Sequence, residues 1–170
     1  LAHIVPPIVL MLSKHPIVDN YKLPKLRTLF SGAAPLGEEL TLECMERLGC
    51  NIRQGYGMTE TSPVTHSSPA PPFKLKHGSV GVAAPNTECK IIDLESGESL
   101  GPGEKGEVCA RGPQIMKGYL NNPEATAQTI DSEGWLHTGD IGYVDEDGNF
   151  FIVDRAKELI KYKGFQVPPA

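Results

Sequence analysis

The chain has 170 residues, of which 39% are hydrophobic and 22% charged, and its formal net charge is -5. This length supports one ordinary hydrophobic core or two small ones. The acidic balance disfavours a nucleic-acid-binding protein, which needs a basic patch to neutralise phosphates, although a few well-placed donors would still hold a small anion. The longest apolar stretch, residues 4–12, is interrupted by two prolines and is too short to predict a membrane span.

The first 70 residues predict a strand–helix–strand unit that follows a short helix. The first helix is predicted over 7–12, with a proline at its start, and a buried strand over 26–31. The second helix begins at Leu36 and ends at Gly49, a residue suited to a helix C-cap, before a strand at 51–54. One apolar stripe runs along the second helix: Leu36, Leu40, Cys44 and Leu48. This order favours an α/β fold with a mostly parallel sheet.

Beyond a proline-rich loop, the sequence changes to short strands separated by glycine-rich turns. We therefore predict a domain boundary within residues 67–80, followed by a small antiparallel β unit. The predicted strands are 88–93, 107–111, 141–144 and 149–154. A short helix is predicted from Pro123 to Ile130, with Asn122 as its N-cap. The four cysteines (Cys44, Cys50, Cys89 and Cys109) form no CxxC pair, so we expect free thiols in an intracellular protein.

Two motifs in the second half are interpreted as turns. Residues 101–106 match the GxGxxG pattern, but a dinucleotide-binding turn must follow a strand and open a helix, whereas this segment precedes a strand. Residues 145–149 hint at a calcium loop but lack the glycine and glutamate that an EF-hand requires at its sixth and twelfth positions. We expect a hairpin loop and a β-turn.

The most concentrated chemical signal is the segment 54–61. It follows a strand, at the carboxyl end of a parallel sheet where α/β folds bind ligands, and its glycines let the backbone approach a ligand. Tyr56 offers a flat face for a purine, Thr59 a hydroxyl for a phosphate, and Glu60 a hard oxygen for Mg²⁺. An ordinary glycine-rich turn with polar surface residues is the alternative.

Two further segments carry weaker signals. Asp140 follows a predicted tight turn at Thr138–Gly139, where a carboxylate is suited to accept hydrogen bonds from two ribose hydroxyls; a turn-capping aspartate is the alternative. Trp135, close by, is predicted to pack. Lys161 and Lys163 are two apart and share one face of a predicted strand, which a solvated basic strand also explains.

Together these segments resemble the adenylate-forming superfamily. Six motifs occur in the order seen in that superfamily: 31–35, 54–60, 106–112, 118–121, 135–140 and 153–164. The resemblance is greatest to 4-coumarate–CoA ligases, with firefly luciferases and fatty acyl-CoA synthetases near by, and covers essentially the whole chain. It implies a two-step reaction. A carboxylate attacks the α-phosphate of Mg·ATP to give acyl-AMP and pyrophosphate, and coenzyme A then takes the acyl group.

The resemblance also implies roles for individual residues. Tyr56 flanks the adenine, Thr59 contacts the phosphate and Glu60 helps to hold Mg²⁺. Asp140 and Arg155 hold the ribose, and we predict that they lie close together because their strands are joined by a short turn.

Further residues are implied in the acyl pocket and in a small domain. Ala33, Gln54 and Gly55 line the acyl-adenylate pocket, and Lys157 lies at the hinge between a large and a small domain. The small-domain residues include the coenzyme A contacts Lys163 and Gly164: Lys161, Lys163, Gly164 and Gln166. The predicted catalytic residues are Thr59, Glu60 and Lys157.

The implied organisation has three parts. Residues 1–70 are the end of a large-domain α/β sheet region, residues 71–154 a β-barrel-like subdomain, and residues 155–170 a hinge with the first strand of a truncated small domain. We expect an internal piece of a longer cytoplasmic or peroxisomal enzyme. The superfamily's Ser/Thr/Gly-rich phosphate loop and C-terminal catalytic lysine have no counterpart here, so we expect no synthetase activity from the chain alone. The acid is not determined, and a luciferase-like oxygenase or a non-catalytic nucleotide-binding scaffold are the alternatives.

Overall fold

The structure, a computed structural model, describes residues 1–70 and 74–155, together with the backbone of 160–162 and 165–167. The strands, in chain order, are β1 Ala2–Ile4, β2 Thr28–Ser31, β3 Asn51–Tyr56, β4 His66–Ser67, β5 Val82–Ala83, β6 Glu88–Ile92, β7 Gly106–Arg111, β8 Leu136–Val144, β9 Phe150–Arg155, β10 Ile160–Tyr162 and β11 Phe165–Val167. The helices are α1 Pro6–Lys14, α2 Glu38–Leu48 and α3 Pro123–Thr129, with short 3-10 turns at Pro16–Asn20 and Thr59–Thr61. Within the described part of the chain, no helix is long and apolar enough to cross a membrane.

The first sheet confirms the predicted α/β unit. Its strand order is β1–β2–β3–β4–β5; the first three strands are parallel, and β4 and β5 join antiparallel. Helix α2 begins two residues later than Leu36, because Gly37 is its extended N-cap and Leu36 packs in the core just before it. Gly49 is the left-handed C-cap, as predicted, with its N–H bonded to the carbonyl of Met45.

Helices α1 and α2 pack together and against the parallel strands. The buried side chains of this core are Val9, Leu29, Leu36, Cys44, Cys50 and Ile52. Arg47 of α2 also donates hydrogen bonds to the carbonyl oxygens of Leu12 and Ser13, at the C-terminal end of α1. The carbonyl groups in the last turn of a helix have no N–H partner within the helix, and Arg47 supplies donors to two of them. Its positive charge also lies at the negative end of the helix dipole.

The second sheet is antiparallel, as predicted, with strand order β6–β7–β8–β9. Its four strands do not close into a complete barrel in the described part of the chain. The edge of β9 pairs outside its own sheet: Phe150 accepts a hydrogen bond from Val80 N–H and donates one to the Gly81 carbonyl. Because residues 80–81 lead into β5, this contact joins the two sheets. The first sheet therefore extends past the predicted boundary region, and the division of the chain into domains stays a prediction.

Several local predictions in this half are confirmed. Residues 101–105 lie in the loop joining β6 to β7, which begins at Gly106, and the 145–149 segment is the turn between β8 and β9. Asn122 caps α3, accepting a hydrogen bond from Ala125 N–H at 3.0 Å. Strand β8, however, starts at Leu136 instead of Ile141, so most of the 135–140 motif is strand. All four cysteines are free thiols.

His66 lies fully buried where the two sheets meet, with its ring centroid 4.3 Å from that of Phe150 and 5.7 Å from that of Tyr56. Its Nδ1 lies 3.0 Å from the Thr65 hydroxyl, which itself donates to the Tyr56 carbonyl, so Nδ1 carries the proton. Nε2 is buried without a hydrogen-bond partner in the described structure. Protonating it would place a charge in an apolar site, and burial accordingly lowers the pKa of His66 to about 4.

We expect the free energy of unfolding to fall with acidification between about pH 6.5 and 4. In this window His66 is protonated in the unfolded chain but stays neutral in the folded chain. The stability that is present above pH 6.5 is therefore lost progressively, by about 3 kcal/mol in all. Urea unfolding followed by circular dichroism at several pH values measures this slope. The variant His66→Gln removes the titrating group. An equally steep slope in that variant would show that another group is responsible.

Candidate nucleotide-binding site

A cavity of about 310 Å³ opens where the carboxyl ends of β2 and β3 face β8 and β9. A volume of this size is at the lower end of the range for small-molecule sites. It brings together five of the predicted site residues: Ala33, Gly55, Tyr56, Asp140 and Arg155. These residues come from widely separated parts of the sequence, so the two sheets jointly form the cavity.

Asp140 is the most constrained polar group of the cavity. One carboxylate oxygen accepts a hydrogen bond from the Tyr56 hydroxyl at 2.7 Å, and the other lies 3.6 Å from Nε of Arg155. The Asp140 side chain is 11% exposed and that of Arg155 is 70% exposed. Burial and the neighbouring carboxylate raise the pKa of the Tyr56 phenol far above its ordinary value, so the phenol stays a neutral donor.

The pairing of β8 with β9 confirms the predicted proximity of Asp140 and Arg155. The two residues are direct register partners at the ends of the hairpin. Since the ion pair is largely exposed on the arginine side, it adds little to stability. Its effect is to place an anion and a cation at the same edge of one cavity.

The position of Asp140 is fixed by contacts with β7. Thr138 donates its hydroxyl to the Val108 carbonyl at 2.7 Å and accepts a hydrogen bond from Asp140 N–H at 3.1 Å. Glu107 accepts a hydrogen bond from Gly139 N–H at 2.9 Å. The predicted tight turn at Thr138–Gly139 is wrong: Gly139 has φ 71° within β8, next to a shift in the pairing register with β7. The glycine thus produces a bend inside a strand, and the bend directs Asp140 into the cavity.

The glycines of the 54–61 segment are required for a different reason from the one predicted. A Cβ at Gly57 would lie 1.8 Å from the Pro63 carbonyl oxygen, and one at Gly55 would lie 2.8 Å from the ring of Phe30. Both contacts are with the protein's own atoms. The glycines therefore permit close packing of the cavity wall on itself, and a ligand is not needed to explain them.

Ala33 adopts a left-handed backbone conformation, with φ 71°. This conformation is uncommon for a residue with a side chain, and such strain concentrates at ligand sites. Ala33 lies in the cavity wall directly after β2. The strained backbone supports the assignment of this cavity as the functional site.

Other predicted residues of the segment lie outside the cavity lining. Gln54 is buried, and its side-chain nitrogen donates to the Leu36 carbonyl at 3.0 Å, behind the cavity wall. Thr59 and Glu60 are on the 3-10 turn beyond the cavity. The Glu60 carboxylate accepts a hydrogen bond from the Tyr119 hydroxyl at 2.7 Å.

The predicted small-domain residues cannot be placed in the site. Lys157, Lys163 and Gly164 lie outside the described residues. Lys161 and Gln166 are backbone partners in the β10–β11 pair, whose side chains lie outside the described structure. The roles assigned to all five residues stay predictions.

Sequence analysis missed several residues of the cavity wall: Ala34, Pro35, Met58, Val80, Ile152 and Asp154. The alternation along β9 could have placed Ile152 and Asp154 on one face. Val80 carries no such signal, because it follows the proline-rich loop, where the sequence has no periodicity.

The AMP-binding enzyme family model matches residues 1–120. 4-Coumarate-CoA ligase 2 of Narcissus pseudonarcissus is 58% identical over 173 aligned residues, which cover 99% of this chain and 30% of the relative. The chain thus spans less than a third of that relative's length.

Two solved structures share the architecture. The ATP-bound MatB of Rhodopseudomonas palustris is 31% identical, with a TM-score of 0.85 over 98% of this chain and 33% of its own. The anthranilate CoA ligase AuaEII, in complex with anthranoyl-AMP, is 28% identical, with a TM-score of 0.87 over 98% of this chain and 32% of its own. The chain belongs to the AMP-binding enzyme family, and its sequence is 4-coumarate-CoA ligase-like.

Proposed function

We propose that this chain supplies the nucleotide pocket of an ATP-dependent carboxylic acid–CoA ligase whose acid is an aryl or a medium-to-long acyl acid. The observation that carries the proposal is the convergence of Tyr56, Asp140 and Arg155 on one cavity at the carboxyl ends of β2 and β3. Relatives named 4-coumarate-CoA ligase, such as the one from Narcissus pseudonarcissus, favour an aryl acid.

The cavity residues would act mainly by positioning the nucleotide. Asp140 would accept hydrogen bonds from the two ribose hydroxyls, while Arg155, on the exposed side, would donate to the ribose or its neighbouring oxygens. Tyr56 would present its ring to the adenine while its hydroxyl restrains Asp140. Held in this way, the α-phosphate is open to in-line attack, and phosphoryl transfer depends chiefly on such positioning and on charge neutralisation.

The proposed reaction has two steps, adenylate formation and thioester formation. A carboxylate oxygen of the acid forms a bond to the α-phosphorus, and the bond from that phosphorus to the bridging oxygen of pyrophosphate breaks. The sulfur of coenzyme A then attacks the acyl carbon and loses its proton, and AMP leaves. In this proposal the described residues hold the AMP portion, which is common to both steps.

Glu60 is suited by its chemistry to bind Mg²⁺. Glu60 presents a carboxylate beyond the cavity, oriented by the Tyr119 hydroxyl, and Mg²⁺ is commonly held by one or two carboxylates together with substrate phosphates. Glu60 is therefore the residue that would hold the ion, which would neutralise phosphate charge.

The test is a substrate panel on a longer protein that contains this chain. We expect 4-coumarate to stimulate ATP–pyrophosphate exchange and to give a CoA thioester, with fatty acids as the comparison set. Adenylate formation without any thioester, or light emission with a luciferin, would contradict the ligase assignment. A protein that binds AMP and forms no adenylate with any acid would favour the scaffold alternative.

A further inference from the structure

A second cluster of reactive side chains lies on β7 and β8, away from the cavity lining. Cys109 and His137 are register partners on these antiparallel strands, and Glu107 precedes Cys109 by two positions. Cross-strand partners face each other, and residues two apart share a face of a strand. A thiol, an imidazole and a carboxylate are thereby brought together, although His137 lies 28 residues from Cys109 in the sequence.

The distances within the cluster suit a tetrahedral metal site. Nδ1 of His137 lies 3.0 Å from a carboxylate oxygen of Glu107 and 3.7 Å from the sulfur of Cys109. All three ligand atoms lie within 4.8 Å of one another. In tetrahedral zinc sites, metal–ligand bonds of about 2.0–2.3 Å place neighbouring ligand atoms roughly 3.3–3.8 Å apart. Small side-chain rotations would therefore bring the three atoms around one ion.

The contacts of the second ring nitrogen of His137 independently support a metal site. Nε2 lies 3.4 Å from a carboxylate oxygen of Asp131. The other oxygen of that carboxylate is fixed by the N–H groups of Glu133 and Trp135, both at 2.9 Å. A carboxylate on the distal nitrogen is the usual partner of a metal-bound histidine, because it keeps the proton on Nε2 and leaves the Nδ1 lone pair for the metal.

The three side chains of the cluster differ in their exposure to solvent. Cys109 is fully buried beside Ile92 and Trp135, whereas the side chains of His137 and Glu107 are 31% and 14% exposed. An ion can therefore approach from the imidazole side and meet the thiol at the bottom of the site. The two carboxylates alone would explain the orientation of His137; the thiol beneath Nδ1 is what makes the set typical of a thiophilic metal.

We propose that Glu107, Cys109 and His137 form a binding site for a thiophilic divalent cation of the Zn²⁺ class. The site has three protein ligands and a fourth position open to water, and Asp131 orients the imidazole. On binding, the Cys109 thiol releases its proton to solvent and the sulfur bonds to the metal. Glu107 also accepts from Gly139 N–H, so the site adjoins the bend that places Asp140.

The test uses Co²⁺ and Zn²⁺ on the purified 170-residue chain, or on a longer protein that contains it. We expect stoichiometric Co²⁺ binding with a thiolate-to-cobalt charge-transfer absorption and the visible bands of a tetrahedral site, both displaced by Zn²⁺. Cys109→Ser should abolish the charge-transfer absorption. Cys89→Ser is the matched control, since Cys89 lies on the neighbouring strand and packs with the core around Val108; that variant should keep the full spectrum.

A variant that retains all three ligands guards against misfolding as an explanation. Asp131→Asn should weaken Zn²⁺ binding by about 10–100-fold, measured by calorimetry, because it replaces the oxygen that orients His137 while the oxygen bonded to the Glu133 and Trp135 N–H groups can stay in place. Absence of a charge-transfer band in the folded wild-type chain would overturn the proposal. Survival of the band in Cys109→Ser would overturn it as well, because the thiolate would then come from another cysteine.

Discussion

The variant Gly81→Ala is expected to lower the free energy of unfolding by about 2–6 kcal/mol. Gly81 has φ +94°, and a Cβ there would lie 2.1 Å from the Ser67 carbonyl carbon and 2.2 Å from its oxygen. Those are backbone atoms of β4, which cannot move aside as the end of a side chain can. The strained φ costs about 1–3 kcal/mol, and the overpacking about 1–3 kcal/mol more. Gly81 also bonds to Phe150, so displacing it would separate the two sheets.

Gly97→Ala is the matched control for this prediction. Gly97 has a similar backbone angle, φ +73°, but a Cβ there would meet no atom within 4 Å. We expect a loss of about 1 kcal/mol, from the left-handed conformation alone. The midpoints of urea unfolding, followed by circular dichroism, compare the two variants. Equal losses would show that the backbone angle, and not the contact with β4, determines the cost.

Asp140→Asn is expected to weaken AMP and ATP binding by about 100-fold in a longer protein that contains this chain. Each hydrogen bond from a ribose hydroxyl to a charged carboxylate contributes about 1.5–3 kcal/mol, and a neutral amide replaces one acceptor with a donor. The substitution preserves side-chain volume, so the bend at Gly139 should persist. Asp154→Asn, on the same cavity wall, is the control for the loss of one negative charge and should have a much smaller effect.

A ribose analogue distinguishes direct contact from a change in cavity shape. Wild-type protein should bind 2′-deoxy-AMP more weakly than AMP, whereas Asp140→Asn should discriminate little between them, because the group that senses the hydroxyl has been removed. Isothermal titration calorimetry with both nucleotides provides the four affinities. Undiminished discrimination in the variant would mean that Asp140 does not contact the ribose, and would also weaken the proposed function.

The sequence itself determined the elements whose cause is local. The C-cap at Gly49, the N-cap at Asn122 and the turn between β8 and β9 each depend on a few adjacent residues, and each forms as predicted. The turn brings the strand ends that carry Asp140 and Arg155 together, but the register that it sets would place Asp140 opposite Asp154. A shift in the pairing between Ile141 and Gly142 makes Arg155 the partner instead. The order of the motifs was enough to indicate the family, because each motif is a short sequence segment.

Only the tertiary structure decided how these elements form a site. Tyr56 and Asp140 are 84 residues apart and meet because residues 80–81 join the edge of β9 to the first sheet. No periodicity predicts that contact, which depends on backbone hydrogen bonds between distant segments. No periodicity predicts the bend at Gly139 either, because Glu107 stabilises it from the neighbouring strand. Local sequence specifies strands and turns, whereas the closure of long loops determines which side chains share a cavity.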